Sequence, residues 1–129
     1  DEGVGIRKYY AHPDSSNIEL ALFASNEFKG DIEGISIYRR TNRKGYILVS
    51  DQQANTFHIF SREGTKSNCN EHPLLKTIAA STIASDGNDI TNVTLPGFPK
   101  GLFVAMSNPK VFQFYNWEDI AGKRTELFH

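Results

Sequence analysis

The sequence contains one cysteine, no long apolar segment and almost no excess of either charge. The single cysteine, Cys69, excludes an internal disulfide and a cysteine-based metal cluster. The longest apolar runs, 46–49 and 102–106, are far shorter than the roughly 20 residues of a membrane-spanning helix, so we expect no membrane span. The formal net charge of −1 supplies no basic field, so we expect no nucleic-acid partner.

The remaining composition is that of an ordinary soluble globular protein. The chain has 129 residues, of which 39% are hydrophobic and 22% charged, and this is about the size of one domain. It begins with Asp1 rather than an initiator methionine and carries no signal peptide. We therefore expect a processed or excised piece of a longer protein.

Glycine, proline and Asn/Asp clusters divide the chain into short segments with the composition of strands. Ile35 and Ile37 alternate with less apolar residues, which is typical of a half-buried strand. Segment 117–120, before Gly122, predicts one helical turn. The predicted strands are 4–9, 18–23, 35–40, 46–49, 56–60, 74–78, 93–95, 102–106 and 111–115. The predicted class is all-β.

Three sequence landmarks recur about 55 residues further along the chain. Segments 31–35, 45–50 and 57–63 are similar to 86–90, 101–106 and 112–118. A period of this length that carries four strands is typical of the blades of a β-propeller. We therefore predict antiparallel four-stranded blades, a little over two in number.

The predicted blades divide the chain into three parts. Residues 1–30 form the end of one blade, 31–80 one full blade and 81–129 part of the next. A propeller ring needs roughly four or more blades, so the remaining blades of a parent protein are an expected partner. An independent nine-strand sandwich is the alternative architecture.

Acidic residues lie where predicted strands begin. Asp31 and Glu33 are two residues apart, so on an extended chain both side chains point to the same side. Asp86 has the equivalent position in the repeat, and Glu2 precedes another strand. Clustered carboxylates without a His or Cys pattern favour Ca²⁺ over zinc or copper. The alternative is that these residues are plain turn residues, since Asp-Gly and Asp-x-Glu-Gly are also common in turns.

Six segments match one family in the correct order along nearly the whole chain. Residues 31–38, D-I-E-G-I-S-I-Y, are similar to a family segment D-I-E-G-L-T-I-Y. Residues 44–52, K-G-Y-I-L-V-S-D-Q, are similar to K-G-Y-L-x-x-S-S-Q. The other matching segments are 2–9, 57–64, 101–105 and 117–121. The sequence thus resembles the β-propeller phytases.

The resemblance implies a six-bladed propeller with calcium ions at one end of its central channel. In that family the bound calcium accepts phosphate groups of myo-inositol hexakisphosphate (phytate) and activates a water for attack on phosphorus. Glu2, Asp31, Glu33 and Asp86 fall on acidic positions of the family's calcium and active-site motifs, with Glu2 and Glu33 as catalytic residues. The resemblance also implies an extracellular or periplasmic protein that acts as a phosphoric monoester hydrolase.

The sequence departs from the family's acidic pattern in two places. Residues 81–89 carry fewer acids than the family's D-G-T-S-D-T-D-G-I-D, and 106–109 read M-S-N-P where the family continues Q-D-G-E-N. We therefore expect fewer or weaker metal sites, and we expect the isolated 129-residue chain to be inactive. The alternative function is a non-catalytic binding or scaffold propeller with a degenerate metal site.

Overall fold

The computed structural model describes residues 1–122. Within this range the chain forms nine strands and one short helix. The elements are β1 (Ile6–Lys8), β2 (Ala21–Phe23), β3 (Ile32–Arg39), β4 (Gly45–Asp51), β5 (Thr56–Ser61), β6 (Leu74–Ala79), β7 (Asn88–Thr91), β8 (Leu102–Ser107), β9 (Val111–Asn116) and α1 (Trp117–Ala121). The predicted all-β class is confirmed.

The strands form three antiparallel sheets in chain order. They are β1-β2, β3-β4-β5-β6 and β7-β8-β9. Within each sheet, every strand pairs with the strands next to it in sequence, as in the blades of a propeller. The alternative of a two-sheet sandwich does not describe this arrangement. The blade boundaries at residues 30 and 80 stay a prediction, and the sheets of residues 1–122 do not close into a ring.

Two glycines have the same role in consecutive sheets, which explains part of the sequence repeat. Gly45 begins β4 opposite the end of β3, and Gly101 directly precedes β8 opposite the end of β7. A Cβ added to Gly45 would overlap the carbonyl oxygen of Tyr38, and one added to Gly101 would overlap that of Thr91. Gly101 also has a φ of 111°, which side-chain-bearing residues rarely adopt.

The predicted strand at 93–95 is wrong, because β7 covers Asn88–Thr91 instead. The register of β8 pairs Ile90 with Phe103, and the chain then turns away. Leu95 and Phe98 exchange backbone hydrogen bonds of 3.1 and 2.9 Å around Gly97, which has a φ of 82°. A turn built on Pro96-Gly97 thus occupies the segment whose composition predicted a strand. The predicted helical turn is confirmed as α1, which ends at Ala121 with Gly122 as its C-cap.

An aromatic core joins the four-stranded sheet to the three-stranded sheet. Trp117 at the start of α1 is fully buried, and its ring stacks on Tyr38 with 4.1 Å between centroids. The Phe57 and Phe103 rings meet edge to face at 5.1 Å. Aromatic pairs in these geometries stabilise beyond the area they bury. The two sheets therefore pack face to face, as neighbouring blades do.

The first strands of the two larger sheets, β3 and β7, lie side by side. The Asn88 side chain donates to the Gly34 carbonyl oxygen at 2.8 Å and accepts from the Ser36 hydroxyl at 2.5 Å. Farther along, the Asn92 amide donates to the Arg39 carbonyl oxygen at 2.6 Å. These bonds bring the start of β3 next to the start of β7, which is where the predicted acidic residues lie.

Candidate metal centre

The predicted site residues lie at one end of the sheets. The strand pairing places the start of β3, the end of β4, the start of β5 and the end of β6 at this same end of the four-stranded sheet. Asp31 directly precedes β3, Glu33 is its second residue, and Asp86 precedes β7 by two residues. Glu2 lies in the turn before β1. The end of the sheets that carries Asp31, Glu33 and Asp86 is called here the acidic end.

A β-bulge near the start of β3 includes Glu33. The register shifts between Ile32, which pairs with Asp51, and Ile35, which pairs with Val49. One extra residue on the bulged strand bends it and changes where its side chains point. Glu33 is half-buried in this bulge. The neighbouring Gly34 approaches Asn88 so closely that an added Cβ would lie 2.6 Å from the Asn88 side chain.

Three of the predicted ligands act electrostatically on the carboxyl group of the fourth, Glu33. Burial raises the pKa of the Glu33 carboxyl above its usual range. The same pKa is raised further by three negative charges, those of Glu2, Asp86 and Asp31. The acidic end therefore concentrates negative charge around Glu33, and a cation bound there would relieve the repulsion.

The carboxylates are near one another without forming a ready ligand sphere. Asp31 and Glu33 are half-buried, whereas Glu2 and Asp86 are exposed. Across residues 1–122, no three His, Cys, Asp or Glu side chains come close enough together to hold a metal ion. The structure thus brings the predicted residues to one region but does not converge them on one point.

Two glutamines contact two of the predicted ligands, and the sequence analysis assigned no role to either glutamine. The Gln52 amide donates a short hydrogen bond to the Asp86 carboxylate. The Gln53 amide Nε2 donates to Asp31 Oδ2 at 2.6 Å, and Gln53 Oε1 accepts from the Asp31 backbone N–H at 2.5 Å. Both glutamines follow β4 in the turn to β5. The sequence could have indicated them through their position in the turn after β4, because the end of β4 pairs with the start of β3.

A fifth carboxylate, Asp51, was also missed. It is 1% exposed, and its oxygens accept hydrogen bonds from the backbone N–H groups of Lys29 at 2.8 Å and Gly30 at 2.9 Å. The ring nitrogen Nε2 of His58 lies 3.4 Å from the same carboxylate, and Nδ1 lies 2.9 Å from the Thr77 hydroxyl. A buried carboxylate must be hydrogen-bonded, and these contacts account for both of its oxygens. Asp51 therefore holds the segment before β3.

The donor set at the acidic end has the chemistry that calcium prefers. Ca²⁺ takes six to eight oxygen ligands at about 2.3–2.6 Å from carboxylates, amide carbonyls and water. The four predicted carboxylates supply such oxygens here, with no thiolate or imidazole among them, whereas the amide oxygen of Gln53 already accepts from the Asp31 backbone N–H. The residues therefore fit calcium, and a complete ligand sphere needs further oxygens from water, substrate or other parts of the protein.

A basic hairpin lies at the opposite end of the sheet. Arg39 pairs with Gly45 seven residues along β3 from the Ile32–Asp51 pair, about 20 Å away at the usual strand rise. A cavity of about 290 Å³ there is lined by Arg39, Arg40, Thr41, Asn42 and Asn92. These cations are therefore remote from the predicted ligands.

A larger groove of about 340 Å³ lies between the two-stranded and four-stranded sheets, where Phe23, Ile35 and Ile37 contribute to its lining. None of the four predicted ligands lines this groove.

In the described part of the chain, no helix has the length and apolar character needed to cross a membrane.

Comparison with known proteins agrees with the resemblance seen in the sequence. The family described as Phytase matches residues 1–122. A 3-phytase of Bacillus subtilis (strain 168) is 28% identical over 140 aligned positions, which cover 98% of this chain and 37% of that protein. The chain therefore spans a little over a third of the length of this curated relative. Because the family match extends over nearly the whole chain, the chain belongs to the phytase family.

Proposed function

We propose that the protein containing this chain is a calcium-dependent phosphomonoesterase that hydrolyses phytate or related phosphate esters. Membership of the phytase family and the name of the 28% identical 3-phytase support the reaction. The observation that carries the site is the raised pKa of Glu33, because its like-charged neighbours are the three other predicted ligands. A cluster of carboxylates repels a polyphosphate, so this function requires divalent cations at the acidic end.

The four acidic residues share one role in the proposal, and two of them have a second. Glu2, Asp31, Glu33 and Asp86 are the metal ligands, and Glu2 and Glu33 are also the catalytic carboxylates. Calcium bound by these residues would supply positive charge for the phosphate and lower the pKa of a water. Glu2 is exposed, whereas Glu33 is half-buried in a bulge of β3.

We also propose that further blades of a parent protein cover exposed apolar faces of this chain. Ile35 on β3 and Phe112 and Phe114 on β9 are large apolar side chains that remain exposed, at 49%, 69% and 64%. Faces of this kind are covered by neighbouring blades in a propeller, so we expect the remaining blades of a parent protein as partners. We expect an extracellular or periplasmic location, and no turnover by the 129-residue chain alone, because it spans only 37% of the matching 3-phytase and so lacks most of a propeller ring.

The function is tested by phosphate release from phytate by the intact protein, with and without a calcium chelator. We expect release that stops with chelator and returns with added calcium. Glu33→Gln should lose most of the activity, whereas Glu71→Gln, in the loop at the opposite end of β5, should keep it. Release that continues undiminished in chelator would contradict the calcium requirement. No release by the well-folded intact protein would contradict the enzyme assignment.

A non-catalytic binding or scaffold propeller is the second candidate. It is favoured by one observation, the lack of any three carboxylates within metal-binding distance among the residues that the structure describes. The low acid content of 81–89 and 106–109 agrees with it. Calcium titration calorimetry separates the two functions, because a degenerate site gives no specific heat of binding.

A further inference from the structure

The last residue of β4 and the first two residues of the turn to β5 hold the segment before β3, by contacts at every residue from 51 to 53. Asp51 accepts from two backbone N–H groups of that segment, the Gln52 N–H donates to the Asp31 carbonyl oxygen at 3.1 Å, and Gln53 binds Asp31 twice. We infer that Asp51 and Gln53 are positioning residues that present Asp31 for calcium binding. This inference rests on the proposed function. The pair is called here the Asp31 clamp.

Gln53 uses both ends of its amide on Asp31. Nε2 donates to Oδ2 of the carboxylate and Oε1 accepts from the backbone N–H of the same residue. Only this orientation of the amide satisfies both partners, because a carboxylate can only accept and an N–H can only donate. The contact fixes the carboxylate relative to its own backbone. It occupies Oδ2 and leaves Oδ1 as the oxygen available to a metal ion.

Asp51 fixes the backbone on which Asp31 sits. Its two carboxylate oxygens each accept one hydrogen bond, Oδ2 from Lys29 and Oδ1 from Gly30. The matching family segment, K-G-Y-L-x-x-S-S-Q, has serine at this position, and a serine hydroxyl offers one oxygen on a shorter side chain. The two-point contact of Asp51 is therefore a feature of this sequence and not of the motif that it resembles.

Space for the clamp depends on Gly30. A Cβ added to Gly30 would overlap Gln53 Oε1 and would lie 2.8 Å from the Gln53 Cβ. Glycine at this position thus lets the Gln53 side chain lie flat against the segment it holds. Three residues of this sequence, Gly30, Asp51 and Gln53, thus act together around one predicted ligand, Asp31.

Hydrogen bonds to a ligand carboxylate affect the metal through orientation. Partners that fix a ligating side chain typically contribute 10- to 100-fold to metal affinity, although they do not touch the ion. Gln53 is exposed, so its replacement removes the contact to Asp31 without opening a core cavity. Asp51 is buried, and its replacement carries a risk to folding that Gln53 does not.

The test compares Gln53→Met with Gln113→Met in the intact protein. Methionine keeps the length of the side chain and removes its donor and acceptor, and Gln113 forms its own hydrogen bonds with Ser81 and Tyr115. We expect Gln53→Met to weaken calcium binding about 10- to 100-fold by titration calorimetry, at an unchanged calcium-free unfolding temperature. The Asp31 amide should also exchange hydrogen faster without calcium, because its acceptor is gone. Gln113→Met should keep wild-type values for both.

The readouts separate failure of the clamp from failure of the proposed function. Wild-type calcium affinity in Gln53→Met would overturn the positioning role, and so would unchanged exchange at the Asp31 amide. If the unaltered protein takes up no calcium, the proposed function fails, and the metal role of Gln53 fails with it. In that case, exchange at Asp31 still decides whether the clamp holds the segment. Asp51→Ser should accelerate exchange at Lys29 and Gly30.

Discussion

Replacing Trp117 with alanine tests whether one aromatic contact holds the four-stranded and three-stranded sheets together. The indole is fully buried, stacks on Tyr38 and lies 5.6 Å from the Tyr46 ring between centroids. A buried tryptophan removes about 200 Å² from water, which at about 25 cal/mol per Å² amounts to about 5 kcal/mol. Partial collapse of the cavity reduces this figure. We therefore expect Trp117→Ala to lower the free energy of unfolding by about 3–5 kcal/mol.

Trp117→Phe separates packing from hydrogen bonding at the same position. The indole Nε1 is buried and finds no hydrogen-bond partner among residues 1–122. An unsatisfied buried donor costs about 1–3 kcal/mol, and phenylalanine removes that donor while it keeps one aromatic ring against Tyr38. The smaller ring loses packing, so the two effects oppose each other. We expect a net loss of about 1–2 kcal/mol, clearly below that of alanine.

The assay is urea unfolding of the intact protein followed by circular dichroism. Circular dichroism is required because Trp117 is the only tryptophan in the 129 residues, so its substitution removes the fluorescent probe of this region. A loss below about 1 kcal/mol for Trp117→Ala would refute the argument that this contact holds the sheets together. Equal losses for alanine and phenylalanine would refute the argument from the unpartnered indole.

Three further predictions concern charge, backbone and hydrogen bonding. The pKa of Glu33 is raised in the folded state, so its ionised form destabilises the metal-free fold. Glu33→Gln should therefore raise the unfolding temperature in chelator at pH 7. This gain should vanish below about pH 4, where glutamate is protonated in both the folded and the unfolded state. Gly101→Ala should cost about 1–3 kcal/mol in urea unfolding, whereas Gly87→Ala, where an added Cβ meets nothing within 4 Å, should be nearly neutral. Tyr38→Phe should cost about 1 kcal/mol in the same assay, because it removes the 2.7 Å hydrogen bond to the Lys100 carbonyl oxygen. A pH-independent effect of Glu33→Gln, equal effects of the two alanines, or full stability of Tyr38→Phe would each contradict the corresponding argument.

The fold could be predicted from the sequence wherever a pattern repeats. The match of 31–35 with 86–90 places the start of β7 correctly, because both segments pair with strands that start at or just after a glycine with no room for a Cβ. Strand composition alone placed this strand at 93–95, where Val93 is β-branched but Pro96 and Gly97 form a turn. Register with β8 outweighs local propensity, since a strand needs a partner for its backbone hydrogen bonds.

The candidate site could be predicted only in part, for a physical reason. Spacing, repeat position and the resemblance to the phytases predicted Glu2, Asp31, Glu33 and Asp86 as ligands, and their role as ligands stays a prediction. The contact between Gln53 and Asp31 joins residues 22 positions apart and depends on the conformation of a turn. Neither the turn conformation nor the bulge at Glu33 leaves a periodic signal in the sequence, so neither could be predicted.

The position of Trp117 in the chain has a consequence for synthesis on the ribosome. The four-stranded sheet is complete at Ala79, and the residue that covers its Tyr38 and Tyr46 face follows about 40 residues later. At about 5–20 residues per second, the nascent sheet waits roughly 2–8 s with that aromatic face uncovered. The polar and glycine-rich segment 81–101 passes through the exit tunnel during this interval. The order of the elements along the chain therefore fixes the interval between synthesis of the Tyr38 and Tyr46 face and synthesis of Trp117, which covers it.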